Sequence, residues 1–312
     1  MPTLIFETLS GSRAYGLADP DSDRDLRGIV VGPRQWYFGI RPAPEQIDVR
    51  GDDHVRTELR KFVRLAAQAN PTILEVLWSD PSDHQTMTRW GEALLAARGL
   101  FLTRRVRGSF GAYAMSQLRR IRGHRSWLLD PPRSQPRRSD FGLPDETVIP
   151  KEQLGAAEML IESGDFDGAD ISPNFLDLLR REKAYKTARQ QYQQYRHWLE
   201  HRNPARAELE ARFGYDTKHA MHLVRLLRMA HEILVDREVH VRRPDREELL
   251  AIKRGEWSYE ALIERCDALS REIERCEPHS ELPEECDVEA AEALCVRLID
   301  DVLRSGALGV SR

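Results

Sequence analysis

The chain has 312 residues, of which 41% are hydrophobic, so it is long enough for one large domain or two ordinary ones. No segment approaches the roughly 18 consecutive apolar residues of a membrane helix, and the first residues lack the pattern of a secretion signal. We therefore expect a cytoplasmic protein. The cysteines lie far apart in the last fifth of the chain without a Cys-x-x-Cys pair, so reduced thiols are expected at Cys266, Cys276, Cys286 and Cys295.

The net charge of −4 conceals a strong segregation of charge along the chain. Residues 104–138 contain ten arginines and one acid, Asp130, whereas residues 256–301 contain fifteen acids and four basic residues. Such segregation bears on binding partners more than on fold. The basic stretch favours a phosphate-rich partner, and the acidic stretch is typical of a solvated helical face.

The first hundred residues combine short strands with helices. Residues 3–10 and 25–32 are rich in branched side chains and predict strands, and residues 45–59 contain two further strand-like runs. From Glu58 the apolar residues adopt helical spacing until Asn70-Pro71, which ends the helix. These alternations predict an α+β domain over residues 1–100.

Strand signals nearly vanish after residue 100, and the remaining chain predicts a mainly α-helical domain over residues 101–312. This domain contains the Arg-rich segment 104–138 and a helix near residues 216–231, for which Asp216 is the expected N-cap.

The sequence "GSRAYGLADPDSDRDLRG" begins with Gly11-Ser12 and contains Asp23 and Asp25. Side chains at positions i and i+2 of a strand point to the same face, so the two carboxylates would lie side by side. Two such charges repel unless a cation lies between them. Oxygen ligands of this kind suit Mg²⁺ or Mn²⁺, and two such ions about 3.5–4 Å apart serve phosphoryl transfer.

Gly11 and Ser12 supply the complementary part of such a site. Glycine lets backbone N–H groups approach an anion, and Ser12 could open a short helix whose N-terminus attracts phosphate. A phosphate cradle followed by a carboxylate pair is what nucleotidyl transfer from an NTP requires. The simpler alternative is a turn-rich hairpin with acidic residues; a phosphohydrolase of the haloacid dehalogenase type would place its acids directly after a strand.

The same sequence resembles the signature of the DNA polymerase beta nucleotidyltransferase superfamily. More narrowly, the chain is similar to the RlaP or YcgL-like predicted nucleotidyltransferases in three stretches: "GSRAYGL…SDRDLRG", "ELRKFVRLAAQANPTILEVLW" and "YDTKHAMHLVRLLRMA…REVHVRRPDREELLAIKRGEWS". The resemblance implies a polymerase-beta-type core followed by helices, and it suggests a link to RNA repair.

The resemblance also implies a third carboxylate on a neighbouring strand, and of the local candidates Asp48, Asp52, Asp53 and Glu58 we select Asp53. Asp23, Asp25 and Asp53 would then be catalytic and would bind two Mg²⁺ or Mn²⁺ ions. Gly11 and Ser12 would bind the terminal phosphates of the NTP. Arg13 is close enough in sequence to assist them or to serve as a surface residue.

A polar stripe runs along the helix near residues 216–231. Lys218, His222 and Arg225 fall within about one 60° sector at 100° per residue. Helices of this superfamily commonly supply cations to the triphosphate, so the resemblance implies a nucleotide clamp. The alternative is a solvated helix face.

The Arg-rich segment interleaves arginine with aromatic residues, a combination that can bind phosphates and stack on unpaired bases. We predict a nucleic-acid interface and an RNA end as the acceptor of the NMP, although a solvated basic face gives the same pattern. The alternatives are transfer to a protein or small-molecule hydroxyl, and a non-catalytic nucleic-acid-binding relative. The predicted nucleic-acid contacts are Arg104, Arg105, Arg119, Arg120, Arg122 and Arg125.

Overall fold

A computed structural model of the chain describes residues 1–20, 22–49, 54–147 and 173–308. The chain divides into two compact units, one formed by Met1–Arg122 with Tyr215–Arg312 and the other by Gly123–Gly214. This division differs from the predicted boundary at residue 100, because the C-terminal helices pack with the N-terminal sheet and its helices.

The described residues of the first unit form a five-stranded sheet in the order β3-β4-β2-β1-β5. Its strands are β1 (Thr3–Leu9), β2 (Leu26–Val31), β3 (Gln46–Val49), β4 (His54–Glu58) and β5 (His84–Met87). β2 pairs in parallel with β4, from Leu26 opposite His54 to Val30 opposite Glu58, and the other pairs are antiparallel. The N-terminal ends of β2 and β4 therefore lie at the same edge of the sheet.

Helices cover the sheet because their apolar residues recur at helical spacing. Helix α3 (Leu59–Ala67) buries four apolar residues that fall on one side of the helix: Leu59, Phe62, Val63 and Ala66. Asn70 caps the next helix by accepting from the N–H of Ile73, so the stretch after Asn70-Pro71 is a helix. The helices of this region are α1 (Gly11–Ala14), α2 (Gln35–Phe38), α3 (Leu59–Ala67), α4 (Pro71–Leu77), α5 (Arg89–Ala96) and α6 (Val106–Leu129).

The C-terminal part of the first unit is helical. Asp216 accepts a hydrogen bond from the N–H of His219 at 2.9 Å, which confirms it as an N-cap. The helix that it begins is buried over most of its length, with Leu223, Leu226 and Leu227 in the core. The helices are α9 (Thr217–Asp236), α10 (Arg246–Lys253), α11 (Tyr259–Cys276) and α12 (Val288–Leu308).

A small mixed sheet with helices, followed by a helical region, confirms the predicted α+β class. Within the part of the chain that the structure describes, no helix is both long and apolar enough to span a bilayer.

The second unit contains the last residues of α6 together with α7 (Pro173–His201) and α8 (Pro204–Phe213). Here His124 and Trp127 stack at 5.5 Å between ring centroids, and Trp198 packs against both rings. Glu210 is buried and pairs with Arg202 and His124. His124 and Trp127 of the Arg-rich segment thus contribute to packing within this unit.

A buried ion pair joins the N-terminal helices of the first unit to α9. Glu75 on α4 and Arg225 on α9 are each 5% exposed, and the Arg225 guanidinium donates to Glu75 Oε1. The Tyr15 hydroxyl donates to Glu75 Oε2 at 2.6 Å, and the Tyr15 ring lies 3.8 Å from the guanidinium carbon. Burial, reinforced by Glu75, raises the pKa of Tyr15, so the phenol stays protonated as a donor.

The segment between α9 and α10 also binds the residues that follow α1. The Arg243 N–H donates to the Tyr15 carbonyl at 3.1 Å, and Arg246 Nε donates to the Gly16 carbonyl at 2.6 Å. The Arg243 side chain is held in turn by Glu232 and Asp245. The C-terminal helices are therefore fixed against the turn that contains Gly11 and Ser12.

We expect Glu75→Gln to lower the free energy of unfolding by about 3–5 kcal/mol, because it leaves the Arg225 guanidinium buried without a countercharge. Urea denaturation of the purified variant measures this loss. The double variant Glu75→Gln/Arg225→Met should recover much of the lost stability, since a buried ion pair can often be replaced by uncharged residues at little cost in free energy.

The matched control is Glu45→Gln, which removes the carboxylate of an exposed pair with Arg64. Exposed pairs contribute little, so its urea midpoint should stay nearly unchanged. Equal midpoints for Glu75→Gln and Glu45→Gln would contradict a stabilising role for the buried pair.

Candidate active site

One cleft in the first unit brings together most of the residues predicted for a nucleotide site. Its volume is about 440 Å³. Acidic residues of the segment before β2 line it together with the glycine-serine turn and with cations of the C-terminal helices. The lining residues are Gly11, Ser12, Tyr15, Leu17, Asp19, Ser22, Asp23, Asp25, Lys218, Met221, His222 and Lys253.

Gly11 lies in close contact with Asp25. Its φ of +65° belongs to the left-handed region, and a Cβ atom at this position would overlap the Asp25 carboxylate. The backbone N–H of Ser10 also donates to the Asp25 carbonyl at 3.0 Å. Only glycine lets the turn and the carboxylate approach this closely.

Asp23 and Asp25 precede β2 instead of lying within it, because the strand begins at Leu26. Asp23 is exposed and Asp25 is half-buried. The strand alternation that we used to place the two carboxylates together therefore does not apply directly, yet both residues line the same cleft.

Arg13 holds the acidic segment in place. Its guanidinium donates to the Ser22 carbonyl at 2.7 Å and to the Asp23 carbonyl at 3.2 Å. These contacts shape the loop that carries Asp23, and Arg13 itself is not among the residues that line the cleft. Its predicted phosphate contact stays a prediction.

Lys218 and His222 line the cleft, but Arg225, the third member of the predicted stripe, does not. Arg225 is buried and pairs with Glu75. Burial lowers the pKa of its guanidinium, but Glu75 and Tyr15 raise it by more, and the net shift is upward. The charge of Arg225 is therefore used within the protein core, which replaces the predicted nucleotide contact.

Lys253, which is not among the residues predicted from the sequence, is a further cation of the cleft. Lys253 ends α10, and its ammonium group forms an ion pair with Asp19. Composition offered one signal: only six of the 47 basic residues in the chain are lysines, and two of those six line this cleft. Lys253 also lies within the third stretch that carried the family resemblance.

The carboxylates of Asp23 and Asp25 are hard oxygen donors of the kind that Mg²⁺ and Mn²⁺ prefer, and both residues line the cleft. Asp53, the predicted third carboxylate, lies outside the described residues. Among the residues that are described, no group of three or more His, Cys, Asp or Glu side chains is arranged to hold a metal ion.

The predicted nucleic-acid contacts fall into two sets. Arg104 and Arg105 form ion pairs with Glu284 and Glu285, so acids near the C-terminus offset their charge. Arg125 donates to the Gly214 carbonyl at 3.3 Å within the second unit. By contrast, three arginines on α6 are exposed and form no ion pair with another described residue: Arg119, Arg120 and Arg122.

A small mixed sheet with a glycine-serine turn and acidic residues at one cleft, followed by helices, is consistent with a polymerase-beta-type core. Comparison with known families agrees: residues 2–127 match RlaP, the RNA repair pathway DNA polymerase beta family. The resemblance inferred from the sequence is confirmed over this part of the chain.

The chain is also similar to the uncharacterized protein YcgL of Bacillus subtilis (strain 168), with 37% identity over 93 residues. The matched region is 27% of this chain and 34% of YcgL, so it spans about a third of that relative. No solved structure matches the chain significantly.

We expect Gly11→Ala to weaken Mn²⁺ binding by about 10- to 100-fold, because the added methyl group displaces the Asp25 carboxylate. Electron paramagnetic resonance of free Mn²⁺ measures this affinity. The matched control is Gly16→Ala, since Gly16 also has a positive φ of +72° but only ordinary contacts around its Cβ position.

Both glycine variants should lose about 1 kcal/mol of stability from backbone strain, and only Gly11→Ala should lose metal affinity. The same Mn²⁺ affinity in both variants would show that the approach of Gly11 to Asp25 is unimportant for binding.

Proposed function

We propose that this protein is a metal-dependent nucleotidyltransferase that transfers NMP from an NTP to the hydroxyl group at an RNA 3′ end, with release of pyrophosphate. The observation that carries the proposal is the cleft in which the glycine-serine turn and the carboxylates of Asp23 and Asp25 meet the cations Lys218 and Lys253 and the imidazole of His222. A triphosphate requires both kinds of group, since its charge must be neutralised and its reacting phosphorus must be held in place.

Each wall of the cleft has its own role in this proposal. Gly11 and Ser12 bind the terminal phosphates through local N–H and hydroxyl contacts, because α1 has only four residues and adds few peptide dipoles. Lys218 and His222 stabilise the triphosphate from α9. The buried pair of Glu75 and Arg225 keeps α9 at a fixed position for these contacts.

Asp23 and Asp25 would hold divalent ions, with Asp53 as the third carboxylate of the set. When bound, such ions neutralise the negative charge that develops on the attacking and leaving oxygens. The protein contributes orientation: Arg13 fixes the loop carbonyls beside Asp23, and the absence of a side chain at Gly11 leaves room for the Asp25 carboxylate. An acceptor hydroxyl then attacks the α-phosphorus, and pyrophosphate leaves.

An RNA acceptor is supported by the exposed arginines of α6 and by the link of the RlaP family to RNA repair. Arg119, Arg120 and Arg122 lie within one helical turn, and planar guanidinium groups suit phosphate oxygens. A small neutral acceptor would not need such a surface.

The test of the chemistry is the double variant Asp23→Asn/Asp25→Asn, incubated with each labelled NTP, Mg²⁺ or Mn²⁺, and a panel of RNAs that includes tRNAs with different 3′ ends. Label transfer by this variant should fall by about 100-fold or more relative to the unaltered protein, because the charge of both carboxylates is lost.

Asp300→Asn is the matched control, since Asp300 is an exposed acid on α12, and its transfer rate should be unchanged. Asp53→Asn should behave like the double variant if Asp53 is the third carboxylate. Undiminished transfer by Asp23→Asn/Asp25→Asn would exclude the proposed site. Label that appears on protein or a small molecule, and on none of the RNAs, would exclude the RNA acceptor alone.

The RNA interface makes a separate prediction about salt. The triple variant Arg119→Gln/Arg120→Gln/Arg122→Gln should bind single-stranded RNA more weakly. The slope of its log affinity plotted against log salt concentration should be less steep by about 2, because three phosphate contacts are lost. Fluorescence anisotropy over a range of salt concentrations gives both quantities.

The matched control for this surface is Arg104→Gln/Arg105→Gln/Arg107→Gln, whose arginines pair with Glu284, Glu285 and Glu277. It removes the same charge and should change the salt slope much less. The same slope in both triple variants would argue against RNA binding at α6.

A further inference from the structure

The ion pair between Lys253 and Asp19 lies inside the nucleotide cleft. Both residues line the cleft with Gly11 and Ser12, and their charged groups are in direct contact. In the protein without nucleotide, the Asp19 carboxylate therefore pairs with the Lys253 ammonium group, which would otherwise be available to a phosphate.

The backbone on the Lys253 side is held firmly. Thr217, the first residue of α9, donates its hydroxyl to the Lys253 carbonyl at 2.8 Å. At the other end of α10, Arg246 donates to the Gly16 carbonyl. Lys253 can therefore change its partner by rotating its side chain, without movement of the helix.

The Asp19 side is more accessible. Its side chain is 58% exposed, compared with 23% for Lys253. Asp19 belongs to a turn in which its N–H donates to Ser22 Oγ at 2.8 Å and its carbonyl accepts from the Ser22 N–H at 3.0 Å. The turn stays closed through these hydrogen bonds if the carboxylate loses its cation.

A pair with one well-exposed partner contributes little to stability, because water solvates the Asp19 carboxylate when the two groups separate. A triphosphate carries several negative charges and would compete strongly for the same ammonium group. Lys253 is a compact point charge on a flexible stem, which suits such an exchange better than a planar guanidinium group does.

We propose that Lys253 is a phosphate ligand for the NTP and that Asp19 holds it in the free protein. Nucleotide binding exchanges the Asp19 carboxylate for a phosphate oxygen, and Asp19 turns into solvent. Asp19 thereby lowers the affinity of the cleft for polyphosphate, and Lys253 raises it. This inference rests on the proposed function, since it deepens the description of the same cleft.

A double-mutant cycle tests the exchange, with the unaltered protein, Asp19→Asn, Lys253→Met and the double variant compared. Isothermal titration calorimetry with magnesium tripolyphosphate measures affinity without requiring the identity of the base. Asp19→Asn should bind about threefold more tightly, because the competing carboxylate is gone. Lys253→Met should bind about tenfold more weakly, while methionine keeps the apolar stem of the lysine.

The decisive comparison is Asp19→Asn in the Lys253→Met background, where the substitution should have no effect. The same threefold gain there would overturn the proposal, because it would reflect only the removal of a negative charge near an anion. Weaker binding by Asp19→Asn would also overturn it, since Asp19 would then support the site instead of competing with the phosphate.

Arg254→Ala is the matched cation control. Arg254 follows Lys253, pairs with Glu256 and does not line the cleft, so its removal should leave the tripolyphosphate affinity unchanged. Label transfer separates this inference from the proposed function. If label is transferred but the two substitutions have additive effects on tripolyphosphate affinity, only the exchange between Asp19 and phosphate is rejected. If the double-mutant cycle gives the expected result but no acceptor is labelled, the nucleotidyltransferase function is rejected and Lys253 remains a phosphate ligand.

Discussion

The buried pair of Glu75 and Arg225 is the interaction on which the rest of the first unit depends. Removing a carboxylate and a guanidinium group from water is expensive, and a single ion contact seldom offsets that cost. Here Tyr15 adds a hydrogen bond to the carboxylate and an aromatic face to the guanidinium group. Because these side chains belong to α4, α9 and the end of α1, the network ties α4 to α1 and α9, two of the helices whose residues line the cleft.

In this arrangement, the residues that hold the cleft in shape differ from those that would contact a substrate. The groups that would meet a nucleotide are exposed or half-buried, as the chemistry of a charged substrate requires, whereas Tyr15, Glu75 and Arg225, which align α1 with α9, are buried. The short helix α1 contacts both groups of residues. The missing side chain of Gly11 lets the first turn of this helix touch Asp25, and Tyr15, one turn later, reaches the buried pair of Glu75 and Arg225. The same division holds on α9, where Lys218 and His222 face the cleft and Arg225 faces the core.

Local sequence was enough to predict the glycine-serine turn, the carboxylate pair and the helix that carries Lys218. Periodicity placed Arg225 in the same angular sector as Lys218 and His222, but an angle on a helix does not reveal depth. Its depth is set by Glu75, which lies 150 positions away in the chain. The charges of Arg105 and Lys253 likewise depend on distant residues, Glu285 and Asp19, which are 180 and 234 positions away.

The 150-residue separation between Glu75 and Arg225 has a consequence for protein synthesis. At about 5–20 residues per second, a ribosome needs roughly 8–30 seconds to travel from one to the other. During that interval the nascent sheet and its first helices carry an acid whose intended countercharge does not yet exist. Water must solvate that carboxylate meanwhile, so α4 can reach its final burial only after α9 has left the exit tunnel.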